Sequence, residues 1–488
     1  MKKNKIISVL VIALLAIHTM HTVEVGKYDG GEYCYRVPGD KGSGMYPVQA
    51  ESDWFDMHAR SGSGDVAEDY TLIDAIAWQP VDMDFAKIRT MFPILKTEVN
   101  GHPLIYLDSG STAQMPQMVL DAIVQYYEAY KANVGRGLYE FAERSTLAFE
   151  NTRAKVARFI GCKKQEVVFT SGATAGVNLV AHIWAQHHIK AGDEIVVSEV
   201  EHNANFIPWQ QLAQHLGAVL KIVPLGKHGQ IDVEILKTYL SDKTKLVAVT
   251  QQSNILGVVN DIASIVKVAH AVGAKVLVDG AQSIVHQRIN VEELQCDFLV
   301  FSAHKLFGPT GVGVLFISEN LFDQCVLQNF GGGMVLSVAY EHTEFKCIPY
   351  CLEPGTQPIA QVIGLGAAID FIWQHVNFDA AAQHETALVR YLAAEIQKIP
   401  GLTIISTIPA AGQHSNLVTF TVDQCHAYDV ASYLNEHGIA VRAGYHCVQP
   451  YHDKLGGKSS VRVSVTIYNT QQEIEYLVAC LRKFLVEL

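Results

Sequence analysis

Asp297-Phe298-Leu299-Val300-Phe301-Ser302-Ala303-His304-Lys305-Leu306-Phe307-Gly308-Pro309 decides how this chain is read. The run Phe298–Ser302 suits a buried parallel strand, and Gly308-Pro309 stops any helix from continuing. Lys305 therefore sits beyond the carboxyl end of a strand, where open α/β sheets bind ligands. Such a lysine is either a solvated surface residue or, once desolvated, a neutral amine able to form a Schiff base. The stretch by itself leaves both open.

Three upstream segments bear on that choice. Lys275–Gln282 is another short apolar strand, and it ends in Asp279 and Gly280. Asp-Gly is a common turn pair. A carboxylate at one strand mouth and a lysine at another is also what pyridoxal phosphate needs, one for its ring nitrogen and one for its aldehyde carbon. Glu166–Asn178 reads as strand, small-residue turn and helix, and the helix start around Ala173 with the Thr174 hydroxyl makes a phosphate cup. It is neither a Walker A loop nor a GxGxxG fingerprint, which disfavours nucleotides. Glu201-His202-Asn203-Ala204-Asn205 follows the strand Glu194–Val197, so His202 is either structural or stacked on a flat ring.

Composition sets the class. At 488 residues, with 49% hydrophobic and 18% charged content, the chain is globular and long enough for two to three domains. A net charge of −12 argues against a nucleic-acid surface. The nine cysteines show no zinc spacing and no disulfide-scaffold pattern, so no metal site is expected. Residues 1–25 hold Lys2, Lys3 and Lys5 ahead of the apolar run 6–17, which is signal-like or anchor-like and the one stretch suited to a membrane. Residues 26–84 carry twelve acidic residues against four basic ones and the linker-like Ser61–Gly64, and read as a partly disordered extension.

From Phe85 onward strands and helices alternate. Strands are expected at Leu104–Leu107, Val167–Thr170, Glu194–Val197, Leu220–Pro224, Leu246–Thr250, Val276–Asp279, Phe298–Ser302 and Val312–Ile317. Helices are expected at Gln117–Lys131, Thr146–Phe159, Val177–His187, Ile262–Val272 and Gln361–His375. This pattern predicts an α/β fold with a mostly parallel sheet covered by helices over 107–375, preceded by a segment 85–106. Over 376–488, helices at Asp379–Ile399, Ala427–His437 and Gln471–Leu485 alternate with strands at Leu402–Ser406, Asn416–Thr421 and Val461–Ser464, which predicts a smaller α+β domain.

The segment from Phe85 to the C-terminus resembles the fold-type-I pyridoxal-phosphate enzymes of aminotransferase class V, and within them the group II (SufS/CsdA-like) cysteine desulfurases. Asp108–Ser111, Ser171–Asn178, Glu201–Asn205, Ser253–Gly257, Val278–Gln282, Ser302–Pro309, Arg442–Cys447 and Val461–Ser464 carry the resemblance. It implies that Lys305 binds pyridoxal 5'-phosphate and moves the substrate α-proton. Asp279 would meet the ring nitrogen and Gln282 the ring hydroxyl, with His202 stacked on the ring as a further catalytic residue and Asn254 beside it. Ala173, Thr174, Ser302 and His304 would hold the phosphate, joined by Thr356 from a neighbouring subunit, so a homodimer is implied.

Cys447 and Arg462 then specify the reaction. A loop cysteine can be an inert core thiol or a nucleophile, and a strand arginine can be an exposed ladder residue. The resemblance makes Cys447 the thiol that takes sulfur from L-cysteine as a persulfide, leaving L-alanine. It makes Arg462 the clamp for the substrate carboxylate, with Asn254 and Arg442 at the substrate. The implied partners are L-cysteine, or L-selenocysteine in the alternative of a selenocysteine lyase or other β-lyase, and a SufE-type sulfur acceptor or iron–sulfur scaffold. Such chemistry belongs in a reducing cytoplasm, although the signal-like start leaves export or anchoring open. Departures from the family pattern fall at Tyr139, Ala175, Asn203, Tyr445 and within Glu353–Pro358. They bear on substrate preference and sulfur relay more than on the basic chemistry.

Overall fold

Seven strands make the central sheet: β1 (Val167–Thr170), β2 (Glu194–Ser198), β3 (Val219–Val223), β4 (Thr244–Thr250), β5 (Lys275–Asp279), β6 (Phe298–Ser302) and β7 (Gly313–Ile317). Their spatial order is β1-β7-β6-β5-β4-β2-β3, and within this sheet only β7 runs antiparallel to its neighbours. Side chains of a strand alternate between faces, so a sheet covered on both sides needs apolar residues at every position. The strands meet that demand. Val247, Val249, Val276, Val278, Leu299 and Phe301 enter one core, while Leu246, Ala248, Leu277, Phe298 and Val300 enter the other.

The computed structural model describes residues 83–410 and 412–487, with three short strands nearer the amino end, Glu24–Lys27, Tyr33–Arg36 and Tyr46–Pro47. Those three pair antiparallel in chain order. The apolar run 6–17 and the linker-like residues 61–64 lie outside the described residues. Pro80–Leu488 is a unit separate from Met1–Gln79.

Nine helices organise the rest of the argument: α1 (Gln117–Gln125), α2 (Glu140–Ile160), α3 (Ala173–Val180), α4 (Asn203–Leu216), α5 (Ile262–Ala271), α6 (Ile359–His375), α7 (Phe378–Ile396), α8 (Ala427–Glu436) and α9 (Gln471–Glu487). The long apolar α6 is buried along most of its length and packs against α1 and α2. Beyond it, four strands, Leu402–Ile404 (β8), Leu417–Val422 (β9), Arg442–Gly444 (β10) and Ser460–Ser464 (β11), form an antiparallel sheet in the order β8-β9-β11-β10. With α7, α8 and α9 this sheet encloses a core of its own, built on Leu388, Leu392, Phe420, Val463 and Leu477.

Several elements differ from expectation. The helix expected over Gln117–Lys131 is α-helical only to Gln125 and continues as a π-helical turn, Tyr126–Tyr130. The helix expected from Thr146 begins at Glu140, and the one expected from Val177 begins at Ala173, directly on the Gly172 turn. Helix α4 carries Pro208, a residue that removes a backbone donor and masks a helix in sequence reading.

Candidate functional site

The carboxyl ends of β1, β2, β4, β5 and β6 converge on a cavity of about 250 Å³. Ala173, Thr174, His202, Asn254, Asp279, Gln282, Ser302, His304, Lys305, Arg442, Cys447 and Arg462 all line it. Thr356 is the one expected site residue that does not. It lies exposed on the loop after Glu353, which the buried Arg153 holds through contacts of 2.7 and 2.8 Å.

Lys305 closes a 3₁₀ turn, Ala303–Lys305, at the end of β6. The chain then doubles back, with the Leu306 and Gly308 N–H groups both donating to the Ala303 carbonyl at 2.8 and 2.9 Å. Gly308 is required there, because a Cβ would stand 2.9 Å from that same carbonyl oxygen. Burial lowers the Lys305 pKa to about 8, with the Asp279 carboxylate opposing the shift. Asp279 ends β5, is 4% exposed, and accepts from the Ala281 N–H at 2.9 Å. Its own pKa is raised by burial against the pull of that N–H and of Lys305. An amine whose pKa burial has lowered thus shares one cavity with a buried carboxyl.

The cup at the end of β1 is tight. Gly172 has φ +151°, and a Cβ on Gly313 would lie 2.5 Å from the Gly172 Cα. The close approach lets the Ala173 N–H, first in α3, donate to Ser302 Oγ at 2.8 Å, so the helix start and the end of β6 share one corner of the cavity. His304 stands beside it, its pKa lowered by burial and by Lys305 to about 4. His202 caps α4, accepting from the Ala204 N–H on Nδ1 at 3.1 Å. Burial, with Lys305 adding, lowers its pKa to about 4, so the ring is neutral and carries its proton on Nε2. Gln282 Nε2 donates to the Gly110 carbonyl at 2.7 Å.

The second sheet supplies the opposite wall. Arg462 on β11 is 3% exposed. Its Nη1 donates to the Asn254 carbonyl at 3.0 Å, and its Nη2 to Asp108 Oδ1 at 3.1 Å and Ser111 Oγ at 2.8 Å. Its Nε is buried without a partner among the described residues. Cys447 is partly exposed, and both it and His446 adopt positive φ, 59° and 50°. That strained pair is pinned from three sides. Asn254 Nδ2 donates to the His446 carbonyl (2.8 Å), the Asn203 N–H to the Cys447 carbonyl (2.9 Å), and the Val448 N–H to the Tyr445 carbonyl (2.9 Å).

Some participants were quoted in motifs but assigned no role. Asp108 and Ser111 orient Arg462 across more than 350 positions of sequence, a pairing that local spacing cannot reveal. Glu201 is buried and accepts from Ser198 Oγ, the Thr250 N–H and Asn205 Nδ2, tying the start of α4 to the end of β4. Burial pushes its pKa up to about 8 against those three donors. His446 also lines the cavity.

The family model for aminotransferase class-V matches residues 105–477. The chain belongs to that family. As a class-V chain it is 42% identical over 399 residues to a cysteine desulfurase of Enterobacter sp. (strain 638), covering 81% of this chain and 97% of the relative. The solved cysteine desulfurase CsdA (S-sulfonic acid) from Escherichia coli superposes with a TM-score of 0.77 at 34% identity, over 84% of this chain and 100% of that one. The apo cysteine desulfurase from Thermococcus onnurineus NA1 gives a TM-score of 0.76, also at 34% identity, over 81% and 98% of the two chains. The expected fold class stands: a class-V, fold-type-I transferase fold with a mostly parallel α/β sheet.

Proposed function

We infer that this chain is a pyridoxal-phosphate-dependent cysteine desulfurase, converting L-cysteine to L-alanine and receiving the sulfur on Cys447. The observation that carries this reading is the meeting of Lys305 and Cys447 on one cavity, although they come from different sheets. The donor set fits the cofactor. It offers an amine with a lowered pKa, a buried carboxyl opposite, and a helix start with hydroxyls for a phosphate. Lys305 would hold the aldehyde carbon, Asp279 the ring nitrogen, and Ala173, Thr174, Ser302 and His304 the phosphate. His202 and Asn254 would flank the ring, and the second amide hydrogen of Gln282 would serve its hydroxyl. When bound, the cofactor supplies an electron sink conjugated to the substrate α-carbon.

The chain's own residues supply the rest. Arg462 would hold the substrate carboxylate, its orientation set by Asp108, Ser111 and the Asn254 carbonyl. Arg442, paired in register with Arg462, adds positive charge at the same wall. Lys305, titrating near the working pH, moves the α-proton. The Cys447 sulfur bonds to the substrate sulfur as the Cβ–S bond breaks, so cysteine plus the enzyme thiol gives alanine plus the enzyme persulfide. No hydrogen or electron is left over.

Thr356 sits away from the cavity and exposed, which supports its use by a second copy and hence a homodimer with shared sites. The sulfur would pass to a SufE-type acceptor or an iron–sulfur scaffold. A thiol that must cycle through a persulfide needs a reducing compartment, which supports a cytoplasmic location.

The test is direct. The chain loaded with pyridoxal phosphate and given L-cysteine and a reductant is expected to release alanine and sulfide in equal amounts. Pyruvate and ammonia in place of alanine would replace the desulfurase reading with a β-elimination.

A further inference from the structure

Glu201 is 3% exposed and does not line the cavity, yet three residues that do line it are tied to it. His202 follows it directly. Thr250, at the end of β4, donates its N–H to Glu201 Oε1 at 3.0 Å. Cys447 is reached through Asn203, the first residue of α4, whose N–H donates to the Cys447 carbonyl at 2.9 Å. Val200, before Glu201, and Val448, after Cys447, also share one small core cluster. The start of α4 and the Cys447 loop are therefore packed as one piece.

The hydrogen bonds around Glu201 admit only a carboxyl. Trp209 Nε1 can only donate, so Asn205 turns its Oδ1 to that ring at 3.0 Å and its amide hydrogens to Glu201 Oε2 at 2.7 Å. Oε1 faces the Thr250 N–H, which also can only donate. Each oxygen of the side chain thus meets a fixed donor. Ser198 Oγ, 2.5 Å from Oε1, can give or take a hydrogen, so the pattern holds for an ionised or a protonated carboxyl. An amide at position 201 would set its own hydrogens against one of the two donors. Ser198, Asn205 and Trp209 are all fully buried, so solvent does not relieve the mismatch.

We propose that Glu201 is a positioning residue: by fixing the start of α4 it holds Cys447 in its left-handed backbone conformation, beside His202 and within the cavity that Lys305 lines. His446 and Cys447, at φ 50° and 59°, would relax toward ordinary angles once the Asn203 N–H withdrew. The proposal rests on the desulfurase reading and adds what keeps the sulfur-accepting thiol in place.

The experiment compares the wild type with Glu201→Gln, with Glu201→Gln/Asn205→Asp and with Asn203→Pro. In the double variant the new amide donates to the new carboxylate, which still accepts from Trp209, so every bond is restored. Proline is tolerated at the first position of a helix, so Asn203→Pro removes the N–H to Cys447 and leaves the Glu201 network whole. Glu201→Gln and Asn203→Pro are each expected to lower kcat for alanine formation about ten-fold, with KM for L-cysteine within about two-fold, because no partner of Arg462 belongs to this network. In the cofactor-free chain, both are expected to speed iodoacetamide alkylation of Cys447 about five-fold as the loop loosens, read by peptide mass spectrometry. The double variant is expected to return both readouts to the wild-type values. A double variant that does not recover, an Asn203→Pro chain that matches the wild type, or a loss carried by KM alone overturns the proposal. If Glu201→Gln fails to fold, the other two variants carry the test. A wild type that forms no alanine would overturn the desulfurase reading instead, and the alkylation rates then decide the positioning role by themselves.

Discussion

Arg462 and Asp108 lie 354 positions apart and meet at 3.1 Å, joining the second sheet to the loop that precedes the central one. The guanidinium is 3% exposed and spends its two terminal nitrogens on protein partners in a fixed fork. A lysine can reach one of those partners but cannot reproduce the fork. Arg462→Lys is expected to raise KM for L-cysteine roughly 30-fold, about 2 kcal/mol, with cofactor content unchanged. Steady-state kinetics beside the absorbance of bound cofactor checks both halves.

The Lys305 amine titrates at about 8 in the fold against 10.5 for an ordinary lysine. Between those values the unfolded chain holds a proton that the folded chain lacks, so stability rises with pH across that window. Below about 8 the folded chain carries a charged amine in a desolvated place. In the cofactor-free chain, Lys305→Met is expected to be more stable than wild type at pH 7, and the gap should narrow toward pH 10. Urea titrations at each pH measure it, and a gap independent of pH would contradict the assignment.

Gly313, at the start of β7, and Gly172, just after β1, pack backbone against backbone at the edge of the cavity. A Cβ at position 313 would meet the Gly172 Cα at 2.5 Å and the Phe301 carbonyl oxygen at 2.6 Å, neither of which can swing aside. Gly313→Ala is expected to destabilise the chain by about 1–3 kcal/mol and to weaken retention of pyridoxal phosphate. Dialysis followed by absorbance separates cofactor loss from unfolding, which circular dichroism reports.

Glu385 on α7 is fully buried between His286 and His414, with one carboxylate oxygen 2.9 Å from a nitrogen of each ring. Burial alone would raise its pKa, but the two histidines overcome this and hold it at about 2. Asn416, at the start of β9, bonds His286 at 2.7 Å, so the cluster ties the second sheet to the turn after Gln282. Glu385→Gln is expected to cost about 3 kcal/mol at neutral pH. The folded pKa lies below the unfolded 4.5, so this stabilisation is present above pH 4.5 and disappears as pH falls toward 2. Urea midpoints for the two proteins at pH 7 and at pH 3 give both numbers.

Much of this was legible in the sequence because strand ends are local. The apolar runs ending in Asp279, Ser302 and Thr170 fixed three walls of the cavity, since a strand's last residue and the turn after it point to the same edge of the sheet. What the sequence hid is non-local or conformational. Asp108 meets Arg462 only after the two sheets dock. His446 was visible as a neighbour of Cys447, yet its contact with Ser460, 3.0 Å from its Nε2, forms only when β11 packs behind the loop. Helix α4 was missed because Pro208 obscures its pattern. Thr356 was read as reaching the phosphate from a neighbouring subunit, and in the single chain it lies outside the cavity.

The central claim is that Cys447 receives sulfur inside the cavity that Lys305 faces. Intact mass spectrometry of the cofactor-loaded chain after a short exposure to L-cysteine, without reductant, tests it most directly. The account predicts an added 32 Da, about one sulfur atom, located on the peptide containing Cys447 and absent from Cys447→Ser, which keeps its cofactor band. Alanine formation in Cys447→Ser at the wild-type rate, or the added sulfur on another of the chain's cysteines, would contradict it.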